Sequence, residues 1–190
     1  FFLDNKKILN SNFNFNKAKI IENSSKEYED IINELISENN FFNILSILEK
    51  NKINLYNNDI STAYNNYLIL LDEKKLDKIY TAAIAINASY SLLGKIKSNE
   101  NNDINSKEKN LDISKKIIQI LTYVDTSIDS FIGNKLEILY LIAIVQQDNI
   151  DDLNIFGNYN DIYNQINEND KISSSIKERV KKINDFEKYK

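Results

Sequence analysis

A chain of 190 residues with net charge −4 and 42% hydrophobic side chains can build one domain, or two small ones, without a disulfide or metal to hold it together. It has no Cys, His, Met, Trp or Pro, but 31 Asn, 32 Ile and 23 Lys against one Arg, Arg179. That excludes imidazole bases, thiolate nucleophiles and soft metal ligands, and the acidic balance with a lone Arg gives no electrostatic footprint for nucleic acid.

The excess of Ile, Asn, Lys, Tyr and Phe matches AT-rich codons, so an AT-rich, bacterial genome is the expected source. The chain opens on Phe1, which suggests an excised domain or a processed product. The longest apolar run, residues 138–145, is too short to span a membrane and is expected in a core.

Residues 1–16 read as an irregular lead-in, with Phe1, Phe2, Phe13 and Phe15 available to dock. Residues 17–190 are expected to form a single helical domain. A first helix is predicted over 25–38, opened by a capping box of Ser24 and Glu27, with Tyr28, Ile31, Ile32, Leu35 and Ile36 on one face. Asn40 caps a second helix carrying Phe41, Phe42, Ile44, Leu45 and Leu48. Asp59 opens a third with Ala63, Tyr64, Tyr67, Leu68 and Leu71. The fourth, over 76–96, buries Ile79, Ala83, Ile86, Tyr90 and Leu93.

The polar stretch 97–109 is expected to be an exposed loop. From Asn110, the apolar positions Ile113, Ile117, Ile120, Leu121, Val124 and Ile128 mark a fifth helix. Gly133 and Asn134 end it and open a sixth, which runs to Gln147 and is apolar almost all round, hence central. A further helix covers 161–167. Ser175 and Glu178 form a second capping box before Ile176, Val180, Ile183 and Phe186; this lysine-rich end reads as a packing helix rather than a membrane-surface helix. Ile favours strands, but sustained alternation and Asn-Gly or Asp-Gly hairpin turns are absent. The expected fold is therefore all-α, with six to eight helices in an antiparallel bundle or stacked hairpins.

Chemistry-bearing groupings are sparse. Asp125 and Asp129 stand four apart on the predicted fifth helix, with Glu137 and Asp148 beyond, and read as a solvated acidic face rather than an acid–base pair. Residues 103–105 begin like a calcium loop, but the required Gly and Glu are replaced by Glu108 and Ser114. The three glycines are isolated, so no phosphate loop exists. Ser173, Ser174, Ser175 and Lys177 are better explained by a helix start than by a Ser–Lys dyad. No cofactor or metal is expected. Tyrosine buries a ring and keeps a wet hydroxyl, which suits half-buried sites and partner surfaces. Tyr80, Tyr90, Tyr123 and Tyr140 are the candidate partner-binding residues.

Residues 83–94 read Ala-Ile-Ala-Ile-Asn-Ala-Ser-Tyr-Ser-Leu-Leu-Gly, and this segment resembles the first helix of a tetratricopeptide repeat. Ala83 stands at the aromatic position, Ile86 at the Leu, Tyr90 at the Tyr and Gly94 at the turn. Asn87 replaces the small residue, the 97–109 stretch breaks the 34-residue period and the terminal Pro is missing. The resemblance spans one repeat and implies stacked helix pairs. The Lys/Asn/Ile-rich composition also resembles the helical surface and periplasmic lipoproteins of spirochaetes such as Borrelia. That likeness implies a non-enzymatic module of the bacterial cell envelope, in the periplasm or at the outer membrane surface, which binds another protein and meets the membrane only through an anchor outside this segment. The alternative is a tetratricopeptide-like accessory protein for a transport or assembly complex. It would cradle a peptide or small ligand in a groove lined by the four tyrosines. A glycosidase-like enzyme would need two buried carboxylates facing across a cleft.

Overall fold

The computed structural model describes residues 2–21, 25–38, 40–72, 76–96, 104–147 and 156–187. Among these residues there are nine α-helices and no strand, so the helical reading holds with one helix more than expected. The chain divides into two compact units, residues 1–70 and 71–190.

The first unit begins with α1, Phe2–Ile20, so the expected irregular lead-in is helical. Ser11, Phe15 and Ala18 recur at helical spacing and are buried, with Phe15 and Ala18 against Tyr28, Ile31, Ile32 and Leu35. Leu9, Phe13 and Ile20 fall on the opposite face and are exposed. Apolar side chains on two faces cancel the single stripe by which an amphipathic helix is recognised, and the alternation of Phe and Asn at 13–16 masks the period further.

Helix α2, Lys26–Ser37, is capped by Ser25, whose side chain accepts from the Tyr28 N–H. Glu27 and Glu29 lie in its first turn, where the helix dipole favours them. The expected partner in the cap, Ser24, lies outside the described residues. Helix α3, Phe41–Tyr56, is capped by Asn40, which also donates from Nδ2 to Ser11 Oγ at 3.1 Å and so ties the α2–α3 turn to α1. Asn58, at φ 60°, takes the left-handed conformation that Asn tolerates. Asp59 follows, and its carboxylate accepts from the Thr62 N–H to start α4, Ile60–Leu71.

The interior of α3 is imperfectly satisfied. Ser46 Oγ, Asn51 Nδ2 and Asn54 Nδ2 are buried with no hydrogen-bond partner. An unmet buried donor or hydroxyl costs about 1–3 kcal/mol. Ser46 is completely buried, so Ser46→Ala removes the unmet group without opening a large cavity. This substitution is expected to stabilise the protein by about 1 kcal/mol, read as a higher urea midpoint. A loss of stability would show that the hydroxyl is bonded.

In the second unit, Asp77 caps α5, Lys78–Leu93, by accepting from the Ile79 and Tyr80 N–H groups. The remaining helices are α6, Ile104–Leu121, α7, Asp129–Val145, α8, Tyr159–Glu168, and α9, Ser174–Glu187. Helix α7 touches all four of the others and is the centre of the unit, as its all-round apolar sequence predicts. One side of it meets Ile162, Ile166, Ile172, Ile176 and Val180 around Tyr140 and Ala143. Some polar groups are tied off within the core: Gln146 donates to Ser114 Oγ at 2.9 Å, and Ser114 donates to the Asn110 carbonyl at 2.8 Å, while the buried Ser89 Oγ has no hydrogen-bond partner.

Several boundaries differ from expectation. Of the expected loop 97–109, residues 97–103 lie outside the described residues, and 104–109 are the first turns of α6. That helix stops at Leu121, so Asp125 lies in the α6–α7 turn and Asp129 in the next helix; they do not share a helical face. Gly133, expected to break a helix, sits buried inside α7. A Cβ there would come within 2.8 Å of Ile176 Cδ1 and 3.2 Å of Ile172 Cγ2. The glycine serves close approach rather than a turn. On α5, Ile86 is buried, but Ile79 and Ala83 are exposed, because the buried face runs through Ala82, Ala85, Ser89 and Leu92.

Candidate contact surface

The four candidate tyrosines divide into two exposed or half-exposed near one end of the second unit and two drawn inward. Asp77 caps the start of α5, where Ile79 is 60% and Tyr80 57% exposed. Lys78 beside them reaches Asp125 in the α6–α7 turn, Nζ to Oδ2 2.8 Å. Asp125 also accepts from the Ser127 N–H at 2.9 Å. The Lys78 ammonium and the Ser127 N–H hold the Asp125 carboxyl far below the usual carboxylate range, and the same hydrogen bond pushes the Lys78 ammonium up. Two residues before Asp125, Tyr123 is half-buried and donates to Asp72 Oδ1 at 2.7 Å. Ile79 and Tyr80 are therefore adjacent exposed groups on a helix start whose flank is pinned by an ion pair.

Tyr90 and Tyr140 are placed otherwise. Tyr140 is wholly buried, with its ring against Tyr159 and Tyr163 and its hydroxyl 3.4 Å from Asn184 Oδ1. Burial, first, and the surrounding acidic and phenolic groups push this phenol up to about 12. It is a core residue and cannot touch a partner in the folded unit. Tyr90 is half-buried and donates to Glu137 Oε2 at 2.6 Å, while Asn134 Nδ2 donates to the Tyr90 oxygen at 3.2 Å. Burial and the bond to Glu137 raise the Tyr90 phenol to about 12.

Glu137 is 4% exposed, not part of a solvated acidic face. Arg179 closes a two-pronged clamp on it: Nε to Oε1 at 2.8 Å and Nη2 to Oε2 at 2.7 Å. Burial raises the carboxyl, but the guanidinium and the Tyr90 hydroxyl outweigh burial and hold Glu137 below its ordinary value. This network joins α5, α7 and α9. The signal was present in the sequence: one acid in the middle of an apolar helix and one Arg in the whole chain. A carboxylate with its oxygens so engaged is an anchor, not a free acid or base. The other carboxylates of the expected acidic face are dispersed. Asp125 pairs with Lys78, Asp129 pairs with Lys171 at 3.0 Å, and Asp148 lies outside the described residues.

Among the described residues no three His, Cys, Asp or Glu side chains are grouped to hold a metal ion, and no helix is long and apolar enough to cross a membrane. Set against models of protein families, curated proteins and solved structures, the chain matches none of them.

Proposed function

We propose that this chain is a non-enzymatic protein-interaction module of a bacterial cell envelope, and that it takes its partner through the Ile79–Tyr80 face at the start of α5. The observation that carries the reading is the exposure of these two large side chains, 60% and 57%, on a helix start held by Asp77 and by the Lys78–Asp125 pair. Exposed aromatic and aliphatic groups on a rigid element, rimmed by charge, are the arrangement of a contact hot spot. Tyr123 supports the rim through Asp72. The Lys/Asn/Ile-rich composition and its likeness to spirochaete lipoproteins support the envelope setting, with any membrane attachment outside these 190 residues. Protein, not nucleic acid, is the partner class, because the chain is acidic and has a single Arg. Stacked tetratricopeptide-like hairpins are the finer architecture we propose, on the strength of Ile86 and Tyr90 lying inward on α5. The ligand-cradle version of that architecture is less well supported, since Tyr140 is sealed in the core and lines no groove.

Capture from envelope extract, or from host serum, tests the proposal. Tyr80→Ala is expected to weaken capture by about 30-fold, equivalent to about 2 kcal/mol. Its melting temperature should be unchanged, because an exposed side chain contributes little to folding. Undiminished capture by Tyr80→Ala and Ile79→Ala would remove this face from consideration. A strong melting shift with a divalent metal or a small metabolite, with no protein recovered, would favour the cradle.

A further inference from the structure

The first unit contains a polar cleft that the proposed contact face does not use. It lies between α2 and α3, measures about 260 Å³, and is lined by Glu29, Asn33, Lys50, Ile53, Asn54 and Asn57, among others. Lys50 Nζ donates to Asn33 Oδ1 at 3.0 Å across the cleft. Asn54 is half-buried, yet its Nδ2 is shut from solvent with no hydrogen-bond partner. Rotation of that side chain toward the cleft breaks no existing bond of Nδ2, so the donor is available to a ligand.

The lining selects a chemical class. One carboxylate and one ammonium balance, so neither an anion nor a cation is favoured as a whole. Three amides offer donors and acceptors together, Glu29 offers only acceptors and Lys50 only donors. A ligand that satisfies them carries several groups able both to donate and to accept, as hydroxyls do. Ile53 supplies an apolar wall for a C–H face. Glu29 and Asn33 are one helical turn apart, about 6 Å along α2, which is the reach across a single pyranose ring. The volume is below the range of drug-sized pockets, about 300–1,000 Å³, and suits one small ring.

We propose that the α2–α3 cleft is a binding site for a neutral monosaccharide. The ring lies along Ile53, with hydroxyls toward Asn33 and Lys50 at one end and toward Glu29 and Asn57 at the other. Asn54 Nδ2 donates to a ring substituent between them. The ammonium and carboxylate of a free amino acid are too close together to reach both ends, which is why a sugar fits this lining better.

Saturation-transfer NMR of the full chain with glucose, galactose, mannose and N-acetylglucosamine tests the site, followed by calorimetric titration of any sugar that responds. At least one is expected to bind with a millimolar dissociation constant. Asn54→Leu and Glu29→Gln should each weaken it tenfold or more without lowering the melting temperature, and Asn57→Ala, at an exposed position, gives a third readout should either variant misfold. Tyr80→Ala should leave sugar binding unchanged, which separates this site from the contact face. Silence from all four sugars would overturn the proposal. So would a response undiminished in the variants, or binding of free leucine at this cleft in place of the sugars.

Discussion

Ile142→Asp is expected to unfold the 71–190 unit. Ile142 is completely buried on α7, the helix that touches every other described helix of that unit. The substitution loses the burial of a large aliphatic side chain, about 2–5 kcal/mol for truncation at such sites. It also places a carboxylate where no partner is available, or forces that carboxylate to hold its proton. Together these approach the whole stability of a typical domain, about 5–15 kcal/mol. Circular dichroism should show a large loss of helical signal, and the NMR signals of residues 76–187 should collapse toward random-coil positions. Ile142→Val, the conservative control, should cost only about 1 kcal/mol. An unchanged thermal midpoint in Ile142→Asp would mean that α7 is not the centre of the unit.

Arg179→Met is expected to cost about 3 kcal/mol and to change how stability depends on pH. Glu137 would remain buried with the Tyr90 hydroxyl still donating to it. Breaking a buried pair on one side typically costs about 3–5 kcal/mol. The lower end applies because Arg179 is 52% exposed and water can enter the vacated space. In the wild type the Glu137 carboxyl lies below its ordinary value of 4.5. Its stabilising contribution is therefore complete above that value and is lost as pH falls through the lower folded value. In Arg179→Met, burial acts unopposed by the guanidinium and raises the carboxyl, so the variant regains stability as acid neutralises Glu137. The gap between the two proteins should be widest at neutral pH and should narrow as pH falls, first through the raised value in the variant, above 4.5, and then through the lowered value in the wild type. Urea titrations at several pH values read this directly. Glu137→Gln with Arg179→Met should recover part of the loss, because the buried charge is gone. A gap that does not vary with pH would show that Arg179 acts through packing alone.

Much of the helical pattern was legible because it rests on neighbours in sequence. Asn40 and Asp59 read as helix starts in the sequence, and both side chains accept from backbone N–H groups two or three residues on. Tyr28, Ile31, Ile32 and Leu35 recur at helical spacing and are buried together. Helix α1 was not legible because its apolar side chains lie on opposite faces, and a one-stripe pattern search sees neither. From sequence alone Gly133 reads as a break, because glycine weakens a helix by about 1 kcal/mol. The need for it comes from Ile172 and Ile176, some 40 residues away in sequence, which leave no room for a Cβ.

The candidate site was legible only in part. Tyr80 and Tyr140 have the same chemistry, and tyrosine is at home both in a core and at a surface. One is 57% exposed and the other fully buried, a difference set by the helices packed around each. Glu137 and Arg179 are 42 residues apart, and only the packing of α9 on α7 brings the guanidinium onto the carboxylate.

By itself, then, the sequence determined the helical class, most helix starts and the centrality of α7, because capping and apolar periodicity act over a few residues of backbone. Tertiary structure alone decided the division into two units, which tyrosines stay exposed, and the pairing of the single Arg with the buried Glu137. Those outcomes depend on which faces meet across long stretches of chain, and there burial and desolvation outweigh local preference.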